Sequence, residues 1–346
     1  MIVPKDYFVA LLNELSRNSD QVVVKYPPIG TIFTIKMDET CALYPMPKEE
    51  FKHLRKNLLD PWHNDKFISD EIPTDMDLVT CLYASSILRS EEESSLKDKL
   101  QEGCQRNLLK GDKPLFVGYD TNSLRHRSNR VVANILSELP RDSAANMGFC
   151  LNESVKTELR YRWNHKYKMP DVNTLGKVHR QARTFLNQHP KDARMARLGA
   201  VEYKHIMTQP NCVEINGRGY GDNKIVRSFE SFRDKRNVDI LLISGDNDFT
   251  AMAHEEKMNA LYMKQPTNYS TELEASWEQV VELLYCVAVV FGHVFINDID
   301  VFGIWTGKVE DDWDGYRVSI DPSNRDLKGD MFRDIRILEK GVHDTV

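Results

Sequence analysis

The clearest pattern in this sequence is an alternation of short apolar runs and longer helical stretches between residues 114 and 264. Between the apolar runs, the periodicity predicts helices near 128–139, 154–166, 174–188, 191–208, 222–236 and 249–257. Strands that alternate with helices are typical of an α/β fold with a parallel sheet flanked by helices. The predicted strands are Leu115–Tyr119, Gly148–Leu151, Cys212–Ile215, Val238–Ser244 and Ala260–Met263.

The two flanks of this region follow other patterns. Before it, an apolar face predicts a helix over about Lys5–Ser16, β-rich segments follow around Val22–Val24 and Thr31–Ile35, and a helical stretch starts after Pro47. After it, we expect a helix around Glu272–Leu284 and then short β segments. These patterns predict three parts: an α+β N-terminal region (1–112), an α/β domain (113–266) and a β-containing C-terminal extension (267–346).

Composition excludes several classes of protein. Glycine and proline together make up 31 of 346 residues, too few for a collagen-like or low-complexity chain. The longest uncharged run, between Glu282 and Asp298, has 15 residues, whereas a membrane span needs roughly 20 apolar residues. The first residues lack the basic start and apolar core of a secretory signal, so we expect a cytoplasmic protein without a membrane partner. The six cysteines include no C-x-x-C pair, which argues against a zinc site.

Charge is unevenly distributed along the chain. Residues 120–240 contain 22 lysines and arginines against 13 acids, whereas residues 271–346 contain 7 against 16. A basic middle region in an acidic protein suggests that one surface meets a polyanion. On charge alone, however, a set of solvated helix faces is the favoured interpretation.

Acidic residues follow the predicted strands. Asp120 comes directly after the first strand, Glu158 lies in the helix after the second, Asp222 starts the helix after the third, and Asp246 and Asp248 follow the fourth. In a parallel sheet, functional groups collect beyond the carboxyl ends of the strands. Carboxylates gathered there would repel one another unless a divalent cation bound, and Mg²⁺ and Mn²⁺ prefer such oxygen ligands. Any one of these acids could instead serve only as a helix cap.

Four short motifs carry a resemblance to a known family. Their sequences are Val117-Gly118-Tyr119-Asp120-Thr121-Asn122, Asn152-Glu153-Ser154-Val155-Lys156-Thr157-Glu158-Leu159, Gly219-Tyr220-Gly221-Asp222-Asn223-Lys224-Ile225 and Ile243-Ser244-Gly245-Asp246-Asn247-Asp248-Phe249. In this order and context, residues 114–264 resemble a PIN-domain nuclease. The fourth motif of that family usually reads T-N-D-x-D-F, so Ser244 and Gly245 depart from it. The spacing from Glu158 to Asp222 is also long for compact members.

The resemblance implies a PIN-like three-layer α/β/α arrangement and a metal-dependent nuclease. It implies that Asp120, Glu158, Asp222 and Asp246 hold Mg²⁺ or Mn²⁺. Asp248 would be an accessory ligand or orient water, and Asn122 and Ser244 would support the ligands through hydrogen bonds. The expected activity is hydrolysis of phosphodiester bonds, with single-stranded RNA favoured over DNA by the family.

Basic residues interleaved with aromatic ones follow the first two acids. Charge that tracks a backbone and rings that stack on bases are typical of surfaces that bind single-stranded nucleic acid. An alternative is that some rings, such as Trp163 and Tyr167, belong to the core. The candidate nucleic-acid contacts are Arg125, His126, Arg127, Arg130, Arg160, Arg162, Lys166 and Lys168.

Other functions stay open. The acids could hold a structural ion in an RNA-binding scaffold with little catalysis, or the substrate could be structured DNA. A haloacid-dehalogenase-type phosphatase would use Asp120 as a nucleophile, but it expects a second Asp where Asn122 stands. The flanking regions suggest a homodimer or docking onto a larger RNA-processing or defence complex.

Overall fold

A computed structural model describes residues 1–139, 146–217, 219, 221–322 and 325–343. Its strands are β1 (Ile2–Pro4), β2 (Gln21–Tyr26), β3 (Gly30–Lys36), β4 (Cys41–Pro45), β5 (Leu115–Tyr119), β6 (Met147–Asn152), β7 (Cys212–Ile215), β8 (Asp239–Ser244), β9 (Asn259–Tyr262), β10 (Leu273–Ala275), β11 (His293–Ile296), β12 (Ile299–Phe302) and β13 (Arg317–Asp321).

The α-helices are α1 (Phe8–Asn18), α2 (Lys48–Leu59), α3 (Lys66–Glu71), α4 (Asp75–Ala84), α5 (Glu93–Cys104), α6 (Thr121–Arg125), α7 (Ser128–Glu138), α8 (Glu153–Trp163), α9 (Met169–Leu175), α10 (Lys191–Met207), α11 (Asp222–Arg236), α12 (Asn247–Glu255), α13 (Trp277–Phe291), α14 (Glu310–Asp314) and α15 (Arg325–His343). Short 3-10 helices cover Lys5–Tyr7, Asp60–Trp62, Leu108–Lys110 and Arg180–Phe185.

The chain divides into two compact units. One, here called the antiparallel unit, comprises Met1–Ile87, Lys166–Lys191 and Thr267–Val346. The other, the parallel unit, comprises Leu88–His165 and Asp192–Pro266. The predicted boundaries at 112 and 266 therefore describe the chain only roughly, because the outer parts of the chain share one unit and α5 belongs to the parallel unit.

The parallel unit contains a five-stranded sheet in the order β7-β6-β5-β8-β9. All four strand pairings are parallel, which confirms the predicted α/β class, and all five predicted strands are present. Buried residues of β5 and β8 pack with flanking helices in one core, to which Phe229 of α11 contributes. A Cβ atom on Gly118 would lie 2.8 Å from both Leu242 and Phe229, so this close packing requires glycine in β5.

The antiparallel unit is built around an eight-stranded sheet in the order β1-β13-β12-β11-β2-β3-β4-β10. Its N- and C-terminal strands are neighbours: β11 pairs with β2, with Phe295 opposite Lys25, and β1 pairs with β13. The acidic C-terminal segment is therefore part of a sheet rather than a separate extension. Local strand patterns could not reveal this pairing, because its partners are about 270 residues apart.

The uncharged run between Glu282 and Asp298 forms the end of α13 and strand β11, as a buried helix-to-strand segment. No helix of the described residues is long and apolar enough to cross a membrane.

Residues 166–191 lie in the antiparallel unit although they interrupt the parallel one. The buried Tyr167 hydroxyl donates a hydrogen bond to Glu71, the Lys191 backbone N–H donates to the same carboxylate at 3.0 Å, and the Lys191 ammonium lies 2.9 Å from Asp77. The single helix expected over 174–188 is absent. Helix α9 ends at Leu175, and a 3-10 helix follows at Arg180–Phe185.

Candidate active site

The first and fourth motifs meet at the centre of the parallel sheet. Strands β5, β6 and β7 follow one another in one direction, whereas β8 and β9 lie on the other side of β5. The sheet order therefore reverses between β5 and β8, the place where α/β proteins most often bind ligands. Asp120 follows β5 and Asp246 follows β8 at this point.

Asp120 is buried, with 5% of its surface exposed. Its Oδ1 accepts a hydrogen bond from the Ser123 backbone N–H at 2.6 Å, which caps α6, and its Oδ2 accepts one from Ser244 Oγ at 2.5 Å. Burial raises the pKa of the Asp120 carboxyl, although these hydrogen bonds act to lower it. Asp120 is therefore a buried acid that its neighbours fix in orientation.

Asp246 caps α12. Its Oδ1 accepts hydrogen bonds from the backbone N–H groups of Asp248 at 2.8 Å and Phe249 at 3.5 Å. Its own N–H donates to Ser244 Oγ at 2.9 Å, so Ser244 connects Asp246 with Asp120. Asp248 is exposed in the first turn of α12. Both Asp120 and Asp246 therefore act as helix caps, the alternative role that the sequence left open for each acid. At Asp246, capping occupies only one of the two carboxylate oxygens.

Glu158 lies in the second turn of α8. Its Oε2 accepts a hydrogen bond from Thr121 Oγ1 at 2.5 Å. No role for the Thr121 side chain follows from the sequence, although Thr121 lies between Asp120 and Asn122 in the first motif. This contact joins the second motif to the first.

A glycine-rich loop leads into α11 and places Asp222 at its first residue. Gly219 and Gly221 have φ values of 106° and 94°, which favour glycine. A Cβ atom on Gly217 would lie 1.9 Å from Ser154 Oγ, and that hydroxyl donates to the Gly219 carbonyl at 2.8 Å. The loop therefore packs closely against the start of α8. Tyr220, which belongs to the third motif, lies outside the described residues.

Electrostatics link Asp222 to three of the other acids. Burial and then the negative charges of Glu158, Asp246 and Asp248 raise the pKa of the Asp222 carboxyl. The third motif thus shares one electrostatic environment with the second and fourth.

The kind of donor at this site suits Mg²⁺ or Mn²⁺, since carboxylate oxygens are the ligands that these ions prefer. The arrangement is not a preassembled cage: within the described part of the chain, no three His, Cys, Asp or Glu side chains are grouped closely enough to hold an ion. Mg²⁺ commonly retains several waters and uses only one or two protein carboxylates together with substrate phosphate, so the donor set fits such an ion.

The hydrogen bond to the other site residues expected of Asn122 is not seen among the described residues. Asn122 is partly buried, but within the described residues its side chain makes no hydrogen bond. Its Cβ lies 3.3 Å from the position that a Cβ on Gly245 would occupy. The glycine that replaces the usual Asn of the fourth motif therefore gives room to Asn122.

Four of the predicted nucleic-acid contacts are not free cations. Arg127 is fully buried and its Nε donates to Glu202 at 2.7 Å, so it cannot reach a phosphate; Arg130 shares the same carboxylate, and Arg125 pairs with Asp192. Burial and the charge of Arg125 lower the pKa of His126 to about 4, so its imidazole is neutral at pH 7.

The remaining predicted contacts are exposed. Arg160 and Arg162 lie in the last turn of α8 on either side of Tyr161, whose side chain is 82% exposed. Trp163 packs against the core with the Arg197 guanidinium 4.6 Å from its ring centre, as the core interpretation predicted for it. Lys166 and Lys168 are exposed but belong to the antiparallel unit.

Comparisons of this chain with protein-family models, with curated proteins and with solved structures found no match. The resemblance to PIN-domain nucleases therefore stays a hypothesis. It depends on the four motifs themselves.

Proposed function

We propose that the parallel unit is a metal-dependent nuclease that hydrolyses phosphodiester bonds in single-stranded RNA. The observation that carries this proposal is the shared environment of Asp222, Glu158, Asp246 and Asp248 at the carboxyl edge of the sheet, where burial and then the three neighbouring negative charges raise the pKa of Asp222. Carboxylates that repel one another without a compensating cation favour binding of a divalent ion. Asp120 would complete this site from the neighbouring strand.

The chemistry that Mg²⁺ or Mn²⁺ supplies at such a site is activation of water and stabilisation of the leaving oxygen of a phosphodiester. Of Asp120, Glu158, Asp222 and Asp246, one or two would bind the ion directly, and the others would hold it through the waters that it retains. Ser244 keeps Asp120 oriented, and Thr121 does the same for Glu158.

The test is cleavage of labelled single-stranded RNA and DNA of one sequence, with Mn²⁺ or Mg²⁺ and with EDTA. Asp222→Asn and Asp120→Asn should each lose at least a hundredfold in rate while circular dichroism stays unchanged. Asp98→Asn is the matched control, because Asp98 is an exposed acid on α5 of the same unit. Full activity of either site variant, or cleavage that resists EDTA, contradicts the proposal. Faster cleavage of DNA would change only the substrate.

A second candidate is a nucleic-acid-binding scaffold with little catalysis. Two observations favour it: Asp120 and Asp246 already serve as helix caps, and no three acids of the described residues form a ready metal site. This candidate predicts tight, salt-sensitive RNA binding without cleavage at any Mn²⁺ concentration. The same experiment therefore separates the two candidates.

A further inference from the structure

A basic groove with a volume of about 620 Å³ lies between the edge strand β7 and helix α11 of the parallel unit. None of the residues that line it is among the nucleic-acid contacts predicted from the sequence. Residues three, four, seven and eleven positions after Lys224 share one face of α11, so the helix presents a single polar stripe to the groove. The side chains that α11 contributes there include Lys224, Arg227, Ser228, Ser231, Lys235 and Arg236.

The four cations of this groove are exposed, and within the described residues none of them forms an ion pair. Two of the three acids of α11 lie near Arg233 instead: Glu230 is 4.0 Å and Asp234 is 2.9 Å from its guanidinium, and the third, Asp222, begins the helix. Glu214, the acid that lines the groove, pairs with Lys156 at 2.9 Å. Four like charges without partners make this groove a site of positive potential that attracts an anion.

The groove runs along the helix that begins at Asp222. With a rise of 1.5 Å per residue, Lys224 and Arg236 are about 18 Å apart along the axis of α11. A stacked nucleic-acid strand advances about 3.4 Å per nucleotide, so this length matches about five nucleotides. A row of cations that starts beside an acidic site and extends away from it fits an extended polyanion better than a single small anion.

We propose that this groove, here called the α11 groove, binds the phosphate backbone of single-stranded RNA and leads the strand toward Asp222. The direction of the strand rests on the proposed function, whereas the binding itself does not. Lys224 and Arg227, within two turns of Asp222, contact the phosphates nearest the acids. Lys235 and Arg236 hold phosphates further along the strand.

The test measures binding of a labelled 20-nucleotide single-stranded RNA by fluorescence anisotropy, in EDTA, from 50 to 200 mM salt. The groove variant carries glutamine in place of Lys224, Arg227, Lys235 and Arg236. The control variant loses the same number of positive charges in the same unit outside the groove, through Lys→Gln changes at Lys99, Lys110, Lys113 and Lys257. Circular dichroism checks that both variants are folded.

Each phosphate contact with a single strand contributes about 0.7 to the slope of log affinity against log salt concentration. Loss of four contacts should therefore reduce the slope by about 2.8. When salt is raised from 50 to 200 mM, the RNA affinity of the unmodified chain should fall by a factor about fifty times larger than that of the groove variant. The control variant should keep the slope of the unmodified chain.

Absence of RNA binding, an unchanged slope in the groove variant, or an equal change in the control overturns the inference. Displacement of the RNA by poly-L-glutamate at equal charge concentration also overturns it, because the groove would then fit an acidic polypeptide. The outcome is separable from that of the proposed function. If the chain cleaves RNA but the groove variant keeps the salt slope of the unmodified chain, the nuclease proposal stands and the α11 groove is rejected as the binding site. If the groove changes reduce the slope but no cleavage occurs, the α11 groove stands and the nuclease proposal is rejected.

Discussion

Replacement of Asp120 by asparagine should stabilise the parallel unit at pH 7 although it removes the proposed activity. Burial raises the pKa of the Asp120 carboxyl above the value of about 3.9 expected in the unfolded chain. The folded protein therefore binds this proton more tightly than the unfolded chain does. The stability that Asp120 contributes is fully present below about pH 4 and is lost as the pH rises through its folded pKa.

The structure indicates that asparagine fits the site. Its Oδ1 can accept the hydrogen bond of the Ser123 N–H, and its Nδ2 can donate to Ser244 Oγ. The Ser244 proton then points to the Asp246 carbonyl, which lies 3.1 Å away. The exchange therefore removes a buried charge and keeps a hydrogen bond to Ser123 and one to Ser244.

The magnitude follows from the pKa. Each unit by which the folded pKa is raised corresponds to about 1.4 kcal/mol at pH values well above it. For a domain of about 150 residues, 1 kcal/mol shifts the melting temperature by about 2–4 °C. Asp120→Asn should therefore melt about 3–6 °C above the unmodified chain at pH 7 for each such unit, and this difference should disappear near pH 4.

The assay is thermal unfolding in EDTA from pH 4 to pH 8, with Asp98→Asn as the control for loss of an exposed acid. Addition of 10 mM Mg²⁺ should then stabilise the unmodified chain by about 1.4 kcal/mol if the dissociation constant is near 1 mM, but should not stabilise Asp120→Asn. A variant that melts below the unmodified chain at pH 7, or a difference that does not grow between pH 4 and pH 7, would refute the reasoning.

Two further predictions concern the packing that supports the site. Arg127→Met removes the 2.7 Å partner of the buried Glu202, which keeps Arg130 at 3.2 Å, and should cost about 1–3 kcal/mol of unfolding free energy, measured by urea denaturation. Arg162→Met, which removes an exposed arginine 3.9 Å from a carboxylate, should cost less than about 1 kcal/mol, and equal costs would contradict the buried-pair argument. Gly217→Ala places a methyl group 1.9 Å from Ser154 Oγ and should reduce both the melting temperature and the cleavage rate. Adding Ser154→Gly to this variant should restore part of each. If neither is restored, the clash with Ser154 is not the cause.

Local patterns were sufficient for the parallel sheet. The strand runs around Val117 and Leu241 are short, apolar and separated by helical stretches, and such segments form buried strands wherever the chain folds as α/β. The helices α7, α11 and α12 followed from the same periodicity. Helices α3 and α4 were missed because their segment is polar at its start, and the Thr74–Asp77 capping box that begins α4 was not recognised.

The candidate site was only partly accessible from the sequence. The position of each acid after a strand was sufficient to expect Asp120 and Asp246 near each other, because carboxyl ends of parallel strands meet at one edge. The charge of Arg127 suggested a nucleic-acid contact. In the structure, its guanidinium instead forms an ion pair with Glu202, which lies 75 residues further along the sequence. The α11 groove was missed because its cations are separated by apolar and acidic residues in the sequence, and only the helix brings them to one face.

The sequence by itself determined which segments become strands and helices in the parallel unit and which residue types follow each strand, since hydrophobic periodicity and chain direction are local properties. Only the tertiary structure decided which charges are compensated, because ion pairs such as Arg127–Glu202 join residues from distant helices. It also decided that the two ends of the chain share one sheet, since the pairing of β2 with β11 depends on long-range contacts that no local pattern specifies.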